Sequence, residues 1–207
     1  MEYKAVESEF EELIVISRSK FITTLIPITS QEDAQEKLKI IKKKYSDATH
    51  NCYAYISSEN AQEQKFSDDG EPQGTAGAPI LEVLKKKKVY MTLAVVTRYF
   101  GGIKLGASGL VGAYSSCVAS AIDKAKIVEY KESIEIIVNT DYSTYKKLQE
   151  IIENNEGKVL NIDYSDNVVI NAVIVDNKID DVVAKIVDTS NGKAQVKQLE
   201  KKYNKFI

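Results

Sequence analysis

From residue 133 to residue 199 the hydrophobic pattern switches between two periods in one order: strand (133–139), helix (143–154), strand (158–164), strand (168–175), helix (179–188) and strand (194–199). Apolar residues at every second position suit a half-buried strand, and at every third or fourth position a helix face. The turn Ser165-Asp166-Asn167 joins the middle strands as a hairpin. This β-α-β-β-α-β order is the ferredoxin-like pattern. It predicts an antiparallel sheet with alternating burial of Ile134, Ile136 and Val138 on its first strand.

The preceding part has a different texture. A strand pair is expected over 10–16 and 20–28, around the polar break Ser17-Arg18-Ser19. Thr29-x-x-Glu32 matches a capping box, and Ala34, Leu38, Ile41 and Tyr45 recur at helical spacing, giving a first helix over 30–45. A short strand at 51–57 leads into a long polar segment, 59–77, read as a loop. Pro79 opens a helix over 80–87, a β-rich run spans 89–99, and a glycine-rich loop precedes a small-residue helix over 110–125. The chain is therefore an α+β protein with two domains, 1–130 and 131–207, abutting through Glu129-Tyr130-Lys131.

Composition removes several function classes. An apolar share of 43% and a charged share of 28% are those of a folded chain. No apolar run is long enough to span a membrane and the start is not a signal peptide, so no membrane partner and a cytoplasmic location are expected. Cys52 and Cys117 sit among apolar or small neighbours, as reduced buried thiols do. The net charge of −2 excludes a generally basic nucleic-acid binder, and neither part is basic: 17 basic and 17 acidic residues precede position 131, against 11 and 13 after it. Any RNA contact must be local.

Two segments could carry chemistry. Asp68-Asp69-Gly70-Glu71-Pro72-Gln73-Gly74-Thr75-Ala76-Gly77 combines three carboxylates with tight-turn residues, a kit for holding Mg²⁺ or orienting a water. Asp68, Asp69 and Glu71 are its metal-ligand candidates, and with His50 they are the catalytic candidates. The spacing does not fit an EF-hand, and His50-Asn51-Cys52 lacks the Glu of a zinc deaminase. No cofactor beyond Mg²⁺ is suggested. The second segment is Gly101-Gly102-Ile103-Lys104-Leu105-Gly106-Ala107-Ser108-Gly109, where backbone N–H groups and a helix start could meet an anion beside Arg98 and Lys104. It matches neither the Walker loop nor G-x-G-x-x-G, and close helix–sheet packing explains its glycines equally well. Lys85, Lys86, Lys87 and Lys88 form the densest basic run and would extend a phosphate-contacting patch with Arg98, Tyr99, Phe100 and Lys104. The expected anion or nucleic-acid set is those four lysines, Arg98, Gly101, Gly102, Lys104 and Gly106. His50, Asp68, Asp69, Glu71, Thr75, Arg98 and Lys104 are expected to share one cleft.

Three blocks, Ala48-Thr49-His50-Asn51-Cys52-Tyr53-Ala54, Phe66-Ser67 running into the acidic loop, and Thr97-Arg98-Tyr99-Phe100 running into Gly101–Gly106, together resemble the YigZ/IMPACT family. The resemblance covers the chain from about Lys20 onward. It implies an N-terminal ribosomal protein S5 domain 2-like fold and a C-terminal ferredoxin-like domain similar to the last domain of elongation factor G. It also implies a translation-associated regulatory role, with a ribosome or structured RNA as partner. The additional N-terminal module through which eukaryotic IMPACT proteins engage an amino-acid-starvation kinase's machinery is not expected here. The competing expectation is a metal- or phosphate-dependent hydrolase or phosphotransferase acting on a small phosphorylated ligand through the two loops.

Overall fold

A computed structural model describes residues 2–206 as an α+β protein with two sheets and five α-helices. The chain divides into two compact units, one running Tyr3–Glu129 and the other starting at Tyr130 and including Glu2.

The first unit is built on strands β2 (Phe10–Ile16), β3 (Ser19–Pro27), β4 (His50–Ile56), β5 (Gln64–Ser67) and β6 (Thr92–Tyr99), in the antiparallel order β2-β3-β6-β4-β5. A preceding strand, β1 (Glu2–Val6), pairs through Lys4 with the segment Lys88–Tyr90; it is too short to stand out in the sequence, although Glu2-Tyr3-Lys4-Ala5 alternates, with Tyr3 and Ala5 buried. β6 is central, and Leu93, Ala94, Val95 and Val96 are all fully buried because both of its faces are covered. Helices α2 (Gly77–Lys86) and α3 (Gly106–Lys124) pack on one face over Phe21, Leu25, Ala54 and Val96. Helix α1 (Gln31–Lys44) covers Ile26, Tyr55, Leu93 and Val95 on the other. Its capping pair sits one residue later than Thr29 and Glu32: the Ser30 side chain accepts from Asp33 N, and Asp33 accepts from Thr29 N. The segment read as one long loop holds β5, whose four residues expose too many polar side chains to register as a strand.

β5 and β6 finish at the same end of the sheet, where β4 begins, since His50 pairs with Arg98 and Tyr53 with Ser67. The chain then turns back into α2 and α3, so both helices start at that end. Two glycines permit the return: a Cβ on Gly77 would meet the Ser67 backbone at 2.7 Å, and one on Gly101 the Arg18 carbonyl oxygen at 2.0 Å. Close packing is thus a real function of these glycines.

The second unit contains most of β7 (Ile127–Thr140), then α4 (Tyr145–Asn154), β8 (Lys158–Tyr164), β9 (Val168–Val175), α5 (Ile179–Thr189) and β10 (Gln195–Lys205). Its strands run antiparallel in the order β10-β7-β9-β8. Ile136 and Val138 are buried with Ile170, Ala172, Leu148, Ile152, Val182 and Ile186, and Ile134 packs partly against them. β7 begins well before residue 133 and β10 runs well past residue 199, because their polar ends are held by pairing with each other, Glu132 opposite Tyr203.

Candidate functional site

The acidic loop follows β5, and its three carboxylates do three different things. Asp68 turns inward: Oδ1 accepts from Ala76 N (3.0 Å) and Gly77 N (2.8 Å), and Oδ2 accepts from Gly74 N (2.8 Å). It caps α2 from outside, where the N-cap residue Ala76 has no side chain to do so. Burial alone would raise its carboxyl, but the three N–H donors outweigh this and hold it below the usual range. Asp69, at φ +44°, takes Asn51 N on Oδ2 and the Lys42 ammonium on Oδ1, each at 2.6 Å.

Glu71 lies deepest. Its Oε1 accepts from Arg98 Nη1 at 2.6 Å and from the Tyr114 hydroxyl at 2.8 Å, and the Glu71 and Arg98 side chains are only 3% and 6% exposed. Tyr114 is fully buried, and burial first, then the neighbouring Cys52 and Glu71, push its hydroxyl far above the ordinary range, so it stays a donor. The Cys52 sulfur touches the Tyr114 hydroxyl (3.3 Å) and the Asp68 carbonyl (2.9 Å), and burial pushes its thiol up to about 12.

His50 closes the cluster. Its Nδ1 lies 2.9 Å from the Asp69 carbonyl oxygen, which can only accept, so Nδ1 carries the proton. Nε2 then faces Glu71 Oε2 at 3.8 Å. Arg98 ties this acidic loop to the glycine-rich one. Its Nη2 and Gly101 N both donate to Ser19 Oγ, at 3.3 and 3.2 Å, and its guanidinium lies between the rings of Phe21 and Phe100.

Of the seven residues expected to share one cleft, His50, Asp68, Asp69, Glu71 and Arg98 meet at one end of the sheet, in a buried network, and Lys104 makes no contact with them among the described residues. Thr75 serves its own turn instead, with Oγ1 donating to Pro72 O at 2.6 Å. Tyr114, Ser19, Asn51 and Lys42 complete the network, and only Asn51 falls within one of the three sequence blocks singled out above. For Tyr114 the only signal is one large polar-tipped side chain in a helix of small residues.

Two expectations are corrected by this geometry. The three carboxylates do not fit a Mg²⁺ site: five of their six oxygens, all but Glu71 Oε2, are committed to backbone N–H groups, Lys42, Arg98 and Tyr114. Among the described residues no three His, Cys, Asp or Glu side chains are grouped to hold a metal. Nor do the lysines join Arg98 in one patch. Lys85, Lys86, Lys87 and Lys88 close α2 just ahead of the start of β6, whereas the Gly101–Gly106 loop follows its end. Eight residues of strand separate them, roughly 25 Å. Lys87 is also paired with Asp123 and Lys85 with Glu82, and Arg98 is buried against Glu71. Lys86 and Lys104 are exposed and form no ion pair among the described residues.

The start of α3 contrasts with that of α2. It has no side-chain cap and no acidic residue in its first turn, and Gly106 holds φ +71°. Phe100 and Ile103 beside it are exposed by 45% and 42%. Its free N–H groups give it positive potential next to Lys104.

Comparison with known proteins places all of these residues inside one recognised segment. The Impact N-terminal domain matches residues 17–122, and a domain of unknown function, DUF1949, matches residues 138–193. The chain is 40% identical over 201 residues to "IMPACT family member YvyE" of Bacillus subtilis, covering 97% of this chain and 93% of that protein. It is 33% identical to "IMPACT family member YigZ" of Escherichia coli, covering 89% and 92%. A crystal structure described as that of an hypothetical protein superposes with a TM-score of 0.60 at 31% identity, covering 96% of this chain and 98% of the other. No helix among the described residues is long and apolar enough to cross a membrane.

Proposed function

Since the chain belongs to the IMPACT family, we propose that it is a translation-associated regulatory protein that binds the ribosome or structured RNA through its first unit. The observation that carries this reading is the uncapped start of α3, with Lys104 in no ion pair among the described residues and Phe100 exposed beside it. Backbone N–H groups and Lys104 would take a phosphate, and the Phe100 ring offers a face for a base. Lys86 would give a second, weaker phosphate contact at the far end of β6, a separation that an extended RNA can bridge.

Topology supports the same reading. The β10-β7-β9-β8 order with two helices agrees with a ferredoxin-like domain for residues 131–207, and an S5 domain 2-like fold is our assignment for residues 1–130. The buried Glu71–Arg98 pair acts here as a support: it fixes the Gly101 loop through Ser19 and leaves the contacts to the exposed residues. Cytoplasmic residence follows from this role. Crosslinking the protein to RNA and mapping the adducts tests the proposal. Adducts should fall within residues 100–108, and adducts confined to the opposite face, on α1, would refute it.

A further inference from the structure

The second unit carries an aromatic cluster that the reading above does not use. Tyr164 ends β8, Tyr145 begins α4, and Tyr142 lies in the loop before it. Tyr142 and Tyr164 stack with centroids 6.3 Å apart and planes at 25°, while Tyr145 stands edge-on to both, at 6.4 and 5.7 Å. Tyr145 is anchored against the core of this unit, and the Tyr142 hydroxyl donates to the Ser165 carbonyl at 2.7 Å. The cluster is pinned, yet Tyr142 and Tyr164 remain 53% and 57% exposed. Ordered rings facing water lose little conformational entropy when a flat ligand stacks on them.

Beside the rings lies a shallow depression of about 160 Å³ lined by Asn139, Thr140, Asp141, Asn167, Lys193 and Gln195. The two features are continuous: Asp141 adjoins Tyr142, and Ser165, which holds Tyr142, also donates to Asn167 O. Asp141 Oδ1 accepts from the Ser143 hydroxyl and from the Thr144 N–H and hydroxyl. The rest of the lining is amide, hydroxyl and ammonium, with no aliphatic side chain, so an apolar peptide has nothing to bury there. Side-chain amides match the donor–acceptor edges of bases, tyrosine rings match their faces, and Lys193 supplies an ammonium within the lining.

We propose that this surface receives unpaired nucleotides of RNA, one base stacking on Tyr142 or Tyr164 and a neighbour presenting its edge to Asn139, Asn167 and Gln195. The proposal rests on the reading that the protein works on RNA, and it adds a base-stacking surface on the second unit to the contacts proposed at the start of α3. Stacking contributes affinity without releasing counterions, so the two contributions differ in salt dependence.

The test measures binding of short fluorescein-labelled single-stranded oligouridine and oligoadenosine to the full chain, to the Tyr142→Ser/Tyr164→Ser variant and to Lys104→Ala, across a salt series. The tyrosine variant should bind on the order of tenfold or more weakly with an unchanged salt slope, whereas Lys104→Ala should flatten the slope. Loss of binding in the tyrosine variant with Lys104→Ala unaffected would keep this surface and remove the α3 site. Equal affinity of the tyrosine variant and the parent, or no binding of single-stranded RNA by the parent, would overturn the proposal, and ribosome sedimentation would then judge the α3 reading separately. Self-association of the parent that disappears in the tyrosine variant while RNA affinity holds would assign the surface to a second copy of the chain and overturn it too.

Discussion

Glu71 Oε1 and Arg98 Nη1 meet at 2.6 Å in a pocket that leaves their side chains 3% and 6% exposed. Removing one partner of such a pair strands the other charge in a poorly solvated site. Arg98→Ala and Glu71→Ala should each cost about 3–5 kcal/mol, while the double variant Glu71→Met/Arg98→Met should cost less than either single change. Urea unfolding of the four proteins measures this, and near-additive losses would show that the pair is not coupled.

Asp68 makes a separate, pH-dependent contribution. Its folded carboxyl lies below its ordinary value because three backbone N–H groups outweigh the effect of burial. A depressed folded pKa gives stability that is present above the unfolded value, about 3.9, and is lost as pH falls from there through the lower folded value. Asp68→Asn should therefore flatten the loss of stability below about pH 4. Melting temperatures of parent and variant between about neutral pH and about pH 3 check it.

Burial pushes both the Cys52 and Cys117 thiols up to about 12. Only the thiolate reacts, so neither should be labelled by a disulfide reagent at about pH 8 in the folded protein, and both should be labelled in denaturant. Fast labelling of one thiol under native conditions would contradict the packing around it.

Gly101 and Gly112 separate two uses of glycine. Gly101→Ala drives a Cβ into the Arg18 carbonyl at 2.0 Å and should destabilise by more than about 1–3 kcal/mol. Gly112, inside α3, has open space around it, and Gly112→Ala should stabilise by roughly 0.5–1 kcal/mol. Thermal melts of the two variants give the signs directly.

These residues also show how far the sequence can be read. The second unit's element order is legible because each strand and helix there has one apolar face and a matching period. β1 and β5 are not: β1 alternates over only five residues, β5 is four mostly exposed residues, and both depend on pairing with distant segments. The meeting of His50 with Asp68, Asp69, Glu71 and Arg98 is legible from glycine-rich loops flanking neighbouring strands. Their division of labour is not: that Asp68 caps α2 and Arg98 is spent on Glu71 depends on a loop path no local pattern encodes. The separation of Lys85–Lys88 from Lys104 is hidden likewise, because closeness in sequence conceals the full length of β6 between them.

Ribosome association through the start of α3 is tested most directly by sedimenting the protein with ribosomes over a salt series, comparing the parent with Lys104→Ala and Phe100→Ala. Lys104 is exposed, so its removal should leave folding nearly unaffected, whereas the Phe100 ring also lies against the Arg98 guanidinium, so a melting curve accompanies that variant. The parent should co-sediment at low salt, Lys104→Ala should lower the slope of log affinity against log salt by about one unit, and Phe100→Ala should weaken binding without changing the slope. A parent that stays in the supernatant at low salt, or variants indistinguishable from it, would contradict ribosome binding at this site.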